Sequence, residues 1–402
     1  MITDIGGAAP GAAGRGPAYD PAYGRGLLLT RAAQWYCGTQ GDLYALVLRG
    51  QDDDPYPYYE KIRELGPLYT GELGTPATAD HAVASRVLGD PRFGPGDPPG
   101  SVLAGSVPTG SVPAKAVQAG AVQAGAVQAG AVPDLAGHRS EVARLCREAL
   151  DRLGRAGAAF DLIGDLFGPV CAAATAGLFG VAGQDRERFA RHAAGLGGAL
   201  DAPVCPQPYE RVRAIADATA GLGDLVGGEP DGAAARVTAA IVALETVPTL
   251  AGNAVAALVG PSGTWAALRA DPRSARAAIG ETLRHDPPIQ LVVRTAREDV
   301  EIAGRRLAAG TRVAVLTGGA GRDPGAYPDP ARFDLTRSPG PEPPAFGGSS
   351  PYAPAGPLVR LQAEALLETL ARERPGLRRN GEALRRRRAP VVRGLLNLPV
   401  TA

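Results

Sequence analysis

Apolar positions recur at helical spacing along most of this chain of 402 residues. Asp54 and Pro55 can start a helix, and Tyr59, Ile62 and Leu65 follow three residues apart. Longer patterns predict helices over 138–153, 161–180, 185–197, 208–224, 231–259, 262–270 and 274–285. Pro248 interrupts the fifth of these, where the missing N–H predicts a kink. β-like runs are few, short and late: QLVVRTA, VEIAG, TRVAVLTGG and VVRGLLNLPV. The pattern predicts a mainly α protein with small β-sheets.

Two stretches lack either period. Residues 1–28 are rich in Gly, Ala and Pro and read as a disordered leader before one domain over 29–402. Residues 101–135 parse as seven pentads, from SVLAG through three copies of AVQAG to AVPDL. A five-residue period fits neither 3.6 nor 2, and recurring Gly and Pro predict a mobile surface loop. The repeats are too small-sided to build the core a solenoid needs. Between these stretches, Thr30–Leu48 is ordered by Trp35, Tyr36, Leu43, Tyr44 and Leu48 as apolar anchors.

Composition narrows the function classes. A 45% hydrophobic content supports a large core. A net charge of +1 gives no electrostatic signature for nucleic acid. Lysine occurs only at Lys61 and Lys115, so nearly all cations are arginines. Cys37, Cys146, Cys171 and Cys205 lack metal-ligand spacing and predict buried thiols, with no metal site. No apolar run approaches the roughly 18 residues that span a bilayer, and the N-terminus lacks a signal pattern. The expectation is a cytoplasmic protein with no membrane partner.

One constellation stands out in the last third. Glu281 and Arg284 form E-x-x-R, which alone is an ordinary helical ion pair. With DPPIQLVVRTAREDVEIAGRRLAAGTRVAVLTGG and then Pro-Asp-Pro-Ala-Arg-Phe at 328–333, the stretch closely resembles the haem-thiolate monooxygenases, the cytochrome P-450 superfamily. The resemblance extends through DPYPYYEKIRELGPLY, HAVASRVLGDPRFG, TWAALRADP and RGLLNLPV, from about residue 53 to the C-terminus. It implies that single-domain fold and a buried, structural Glu281–Arg284–Arg332 network. Such bidentate clusters are geometrically specific, and losing one member strands a buried charge.

The family's haem loop reads F-G-x-G-x-H-x-C-x-G-x-x-L-A-R. Phe346, Gly347, Leu358 and Arg360 match its ends without a gap. Inside, Ser349 replaces a glycine, Pro351 the histidine, Ala353 the cysteine and Ala355 the last glycine. A thiolate holds haem iron in this family, and a methyl group cannot. From 343 to 361 only a strained Tyr352 could substitute, because His81, His138, His192 and His285 lie elsewhere. By the same resemblance, Glu245 and Thr246 are a vestigial oxygen-activation pair, beside Val242 and Ala243 in place of glycines. His138 and Arg294 occupy haem-propionate positions, but Val142 replaces an expected arginine. An empty haem pocket of several hundred Å³ would cost on the order of 10 kcal/mol at roughly 24 cal/mol per Å³. The pocket is therefore expected to have collapsed or refilled, leaving no cofactor and no redox partner.

The upstream segment TRAAQWYCGTQGDLYALVLRGQDDDPYPYYEKIRELGPLY resembles one subgroup. These are the haem-free auxiliary proteins of antibiotic deoxysugar glycosyltransferases. The resemblance implies a pseudoenzyme that binds, stabilises and activates a glycosyltransferase acting on a polyketide aglycone, in a hetero-oligomer. Trp35, Tyr36, Leu43 and Tyr44 are the candidate interface residues, because aromatics are enriched at hot spots; docking onto the chain's own body is the simpler alternative. Arg385–Arg388 reads as a solvated turn before a strand, with a docking patch as the alternative. Two rival readings remain: a monooxygenase with an atypical iron ligand, and a haem-free small-molecule carrier or catalyst using Glu245 and Thr246.

Overall fold

The computed structural model describes residues 21–95, 130–154, 159–228, 232–260, 264–338, 340–347 and 350–401. Among these, thirteen α-helices surround four small sheets. The helices are α1 (Pro21–Thr39), α2 (Leu43–Arg49), α3 (Tyr56–Glu64), α4 (His81–Gly89), α5 (His138–Leu153), α6 (Gly168–Leu178), α7 (Arg186–Gly195), α8 (Tyr209–Val226), α9 (Ala233–Leu258), α10 (Trp265–Ala270), α11 (Ala275–His285), α12 (Thr317–Ala320) and α13 (Gly356–Glu373). The predicted helices are present, with ends moved by a few residues. The 161–180 pattern resolves into a π-turn over Leu162–Phe167 followed by α6.

Local chemistry explains the boundaries. Asp42 caps α2 by accepting from the Tyr44 and Ala45 N–H groups, and Gly50 ends it in the left-handed conformation. Asp80 caps α4 through the Val83 N–H. The central α9 buries almost every residue and packs against α6, α8, α11 and α13. It continues through Pro248, whose ring removes one helical donor. By length and composition α9 could cross a membrane, contrary to the sequence reading, but most of it is buried inside the protein. Arg236, Glu245 and Pro248 break the apolar run that a linear reading seeks.

The principal sheet has five strands: β1 (Tyr69–Thr70), β2 (Pro76–Thr78), β3 (Phe93–Pro95), β5 (Val292–Ala296) and β8 (Arg312–Val315). Their order is β1-β2-β8-β5-β3, with only β2 and β8 parallel. Strand β4 (Ala159–Asp161) belongs to a second sheet near the C-terminus, and β6 (Val300–Ile302) and β7 (Arg305–Leu307) make a hairpin turned by Ala303 and Gly304 at positive φ. Three of the four predicted β runs enter these strands, and the last forms the C-terminal strands Leu395–Asn397 and Pro399–Thr401.

Two expectations about the unpatterned stretches change. Helix α1 begins at Pro21, inside the stretch read as leader to residue 28. Gly and Pro near its start hid a helix that is held in place by later residues. Of the pentad segment, 101–129 lies outside the described residues.

Candidate functional site

Glu281 and Arg284 sit on one face of α11, one turn apart, and pair twice, at 2.9 and 2.6 Å. Arg284 also donates to the carbonyls of Gly321, Pro330 and Arg332. Gly321 must be glycine, because a Cβ there would lie 2.1 Å from the Arg284 carbonyl oxygen. The Asp334 N–H and the Arg337 Nε complete the carboxylate, at 3.0 and 3.2 Å. Burial raises the Glu281 pKa, but Arg284, the Asp334 N–H and Arg337 outweigh it and hold it below the ordinary value.

The third arginine is therefore Arg337, and the expectation for Arg332 is corrected. Arg332 is exposed and gives the network only its carbonyl, shared by Arg284 and Arg337. The chain turns at Asp329, which has φ 45°, so the Arg332 side chain faces outward. Five residues later Arg337 comes back over the carboxylate.

The loop before α13 folds on itself. Ser350 Oγ donates to the Ala345 carbonyl, and the Ala353 N–H donates to the Ser350 carbonyl. Ala353–Ala355 forms a single 3₁₀ turn leading into α13. Phe346 and Tyr352 are buried in the core, and Phe346 lies against Gly356. Ser349 lies outside the described residues. Pro351 is buried and Ala353 half-buried.

These residues do not fit a haem. A void of haem size between α9 and α13 would leave accessible surface on the side chains that line it. Val242, Ala243, Thr246, Leu358, Val359 and Gln362 each have 0% exposure, internal surface included. The polar positions have other partners. Gln362 Nε2 lies 2.9 Å from His138 Nε2 and 3.4 Å from Thr175 Oγ1, tying α13 to α5 and α6. Arg294 donates to the Phe93 carbonyl. Cys171, the cysteine beside this network, contacts Gln362 Oε1 and the Ala243 carbonyl, and burial pushes its thiol up to about 12.

Glu245 and Thr246 are used structurally. Glu245 accepts from the Gly198 and Leu200 N–H groups at 2.7 and 3.0 Å, and from Arg386 at 3.3 Å. Thr246 Oγ1 donates to the Val242 carbonyl within its own helix. Segment 196–206 is thereby pinned across α9. Asp201 anchors the same segment from the other side, accepting from the Val391 and Val392 N–H groups. Burial and the Glu245 charge push Asp201 up to about 7. Sequence reading missed Asp201, Asp286 and Gln362, since a lone polar residue in an apolar run carries no pattern.

The Arg385–Arg388 run is also corrected. Arg385 pairs with Asp286 and Arg386 with Glu245; only Arg387 is fully exposed. Arg393 joins Asp286 at 2.7 Å. Burial pushes the Asp286 carboxyl up, but Arg393, Arg385 and Arg322 bring it down to about 2. Buried carboxylates on α9 and after α11 draw these arginines inward, and a linear reading cannot see those acids.

The four candidate interface residues separate. Trp35 and Tyr36 are 42% and 68% exposed on α1. Tyr44 is buried in the core and is corrected from interface to interior, whereas Leu43 is half-buried against that core. Helix α2 turns them inward beneath α1. Leu28, the last residue of the stretch read as leader, and Leu29 are 68% and 48% exposed on α1. Among the described residues no cluster of His, Cys, Asp or Glu is arranged to hold a metal.

The Cytochrome P-450 family model matches residues 273–341, the stretch that holds the E-x-x-R network. The chain is 41% identical to protein DesVIII of Streptomyces venezuelae, over 95% of this chain and 94% of that one. It is 31% identical to the cytochrome P-450 family protein EryCII of Saccharopolyspora erythraea, over 94% and 97%. The chain belongs to the cytochrome P-450 superfamily. Its backbone superposes on the crystal structure of cytochrome P-450 BioI bound to an acylated acyl carrier protein, with a TM-score of 0.73 at 26% identity, covering 87% and 98% of the two chains. Within this P-450 frame, the space between α9 and α13 is closed.

Proposed function

We propose that this P-450 homologue is a haem-free, non-catalytic auxiliary protein of antibiotic biosynthesis. It binds, stabilises and activates a cytoplasmic glycosyltransferase that moves a nucleotide-activated deoxysugar onto a polyketide aglycone. The observation that carries this reading is the closed packing at Thr246, Leu358 and Gln362, beside a loop with Ala353 at the thiolate position. Likeness to DesVIII over nearly the whole chain supports the same group. Glu245 and Thr246 are bound to the protein's own backbone, which speaks against a catalyst or carrier built on them.

The mechanism is linkage. A partner that binds only the active conformer of a transferase raises that conformer's population and opposes its unfolding. A coupling of about 1–3 kcal/mol gives roughly 5- to 150-fold effects. A lasting complex needs an interface on the order of 2,000 Å² or more. Co-expression with a candidate deoxysugar glycosyltransferase tests the reading. Transferase activity and copurification should both depend on this protein. Independence of both, or stoichiometric haem with a Soret band in the purified chain, would overturn it.

A further inference from the structure

We propose that the outer face of α1 is where the partner glycosyltransferase docks, through an apolar segment that carries carboxylates. This rests on the auxiliary-protein reading above and specifies its surface. At about 100° per residue, Leu28, Leu29, Ala32, Trp35 and Tyr36 fall within an arc of about 120°. Leu28, Leu29, Trp35 and Tyr36 are exposed, from 42% to 68%. The opposite face is already occupied: Cys37 is buried, and Gln34 donates to the Val204 carbonyl at 2.7 Å. With the inner face already packed, the stripe is the large-apolar side of α1 left uncovered. Trp35 is also held in place before binding, since the Arg49 guanidinium lies over its ring at 4.5 Å and bonds its carbonyl. A pre-positioned aromatic loses less entropy when a partner covers it.

Charge selects the occupant. Beside the stripe runs a groove of about 410 Å³, lined by Leu27, Leu28, Pro206, Tyr209 and two arginines, Arg25 and Arg31. Among the described residues no carboxylate lines it, and the chain has no Asp or Glu from Pro21 to Gly41. Neither arginine makes an ion pair among the described residues. The partner surface that complements this is apolar with acidic side chains.

The test uses the full chain with the deoxysugar glycosyltransferase that it activates on co-expression. Leu28→Asp with Tyr36→Asp disrupts the stripe, and Arg25→Glu with Arg31→Glu reverses the groove. Leu384→Asp, at a 56% exposed site on another element, is the control. Each stripe or groove pair should raise the Kd for the transferase at least about tenfold and lower transferase turnover in step. The control should do neither, and the free variants should keep their melting temperatures. Wild-type binding retained by both pairs would overturn this surface and leave the auxiliary reading standing. A wild-type chain that neither binds nor activates the transferase would overturn both. Two further results would reassign the face and so overturn the proposal: a homodimer split by the stripe variant with transferase binding unchanged, or a fall of melting temperature in the stripe variant while the groove variant binds normally. The first makes the face a self-contact, the second a site covered by the chain itself.

Discussion

Glu281 is the residue on which the C-terminal third is organised. It holds Arg284, Arg337 and the Asp334 N–H, all on one carboxylate. Glu281→Ala strands the buried Arg284 charge and should destabilise by about 3–5 kcal/mol. Arg332→Ala removes an exposed side chain and should change stability by less than about 0.5 kcal/mol. Urea denaturation of the two variants separates the network drawn from resemblance from the one the structure shows. Asp201 makes a second prediction, in pH. Its folded value is about 7 against an ordinary 3.8. The folded protein therefore keeps a proton that the unfolded chain has already released between those values. The stability from that proton is full at acid pH, and it is lost as pH rises through about 7. Asp201→Asn cannot ionise and keeps one acceptor for the Val391 and Val392 N–H groups, so its stability should vary less with pH between about 4 and 7. An unchanged slope in thermal melts across that range would show that Asp201 titrates normally.

Helices α9 and α13 and the loop between Pro343 and Ala355 decide whether a cofactor can enter. A single reversion restores a ligand but not a space. Ala353→Cys should therefore give no Soret band when the protein is refolded or expressed with haem. A stoichiometric band in that variant would mean the packing opens at little cost. Segment 196–206 is the complementary element, held to α9 by Glu245 and to the C-terminal region by Asp201. Glu245→Ala leaves the Gly198 and Leu200 N–H groups without acceptors, a loss of about 1–3 kcal/mol for each buried group left unpaired. Faster amide exchange confined to 196–206 is the expected readout. The elements themselves were legible where apolar spacing is regular, as in α5, α8 and α11. Helix α1 was not legible: its first turns hold Gly24 and Gly26, and it is fixed further along by Gln34 on the Val204 carbonyl and by packing on α2.

At the scale of the molecule, the chain keeps the P-450 frame and its E-x-x-R network, while Thr246, Leu358 and Gln362 are packed without exposed surface. On the proposed auxiliary role, function falls to the surface. If the chain acts by linkage, stabilisation must appear on both partners. At a partner concentration near 100 times Kd, each should gain about 2.7 kcal/mol. Differential scanning of the mixture should show both transitions moved up together. A shift in only one would point to binding that does not discriminate folded from unfolded transferase.

The order of residues alone determined the family frame and the helical class. These are local facts, because periodicity and motif spacing are written along the chain. Only the tertiary structure decided which arginine closes on Glu281, where Arg385 and Arg386 point, and which of Leu43, Tyr44, Trp35 and Tyr36 face outward. Each of those depends on a partner distant in sequence. The contacts from Arg386 to Glu245 and from Gln34 to Val204 join residues more than a hundred positions apart. A side chain's direction is set by what lies across from it, and that is known only once the chain has folded.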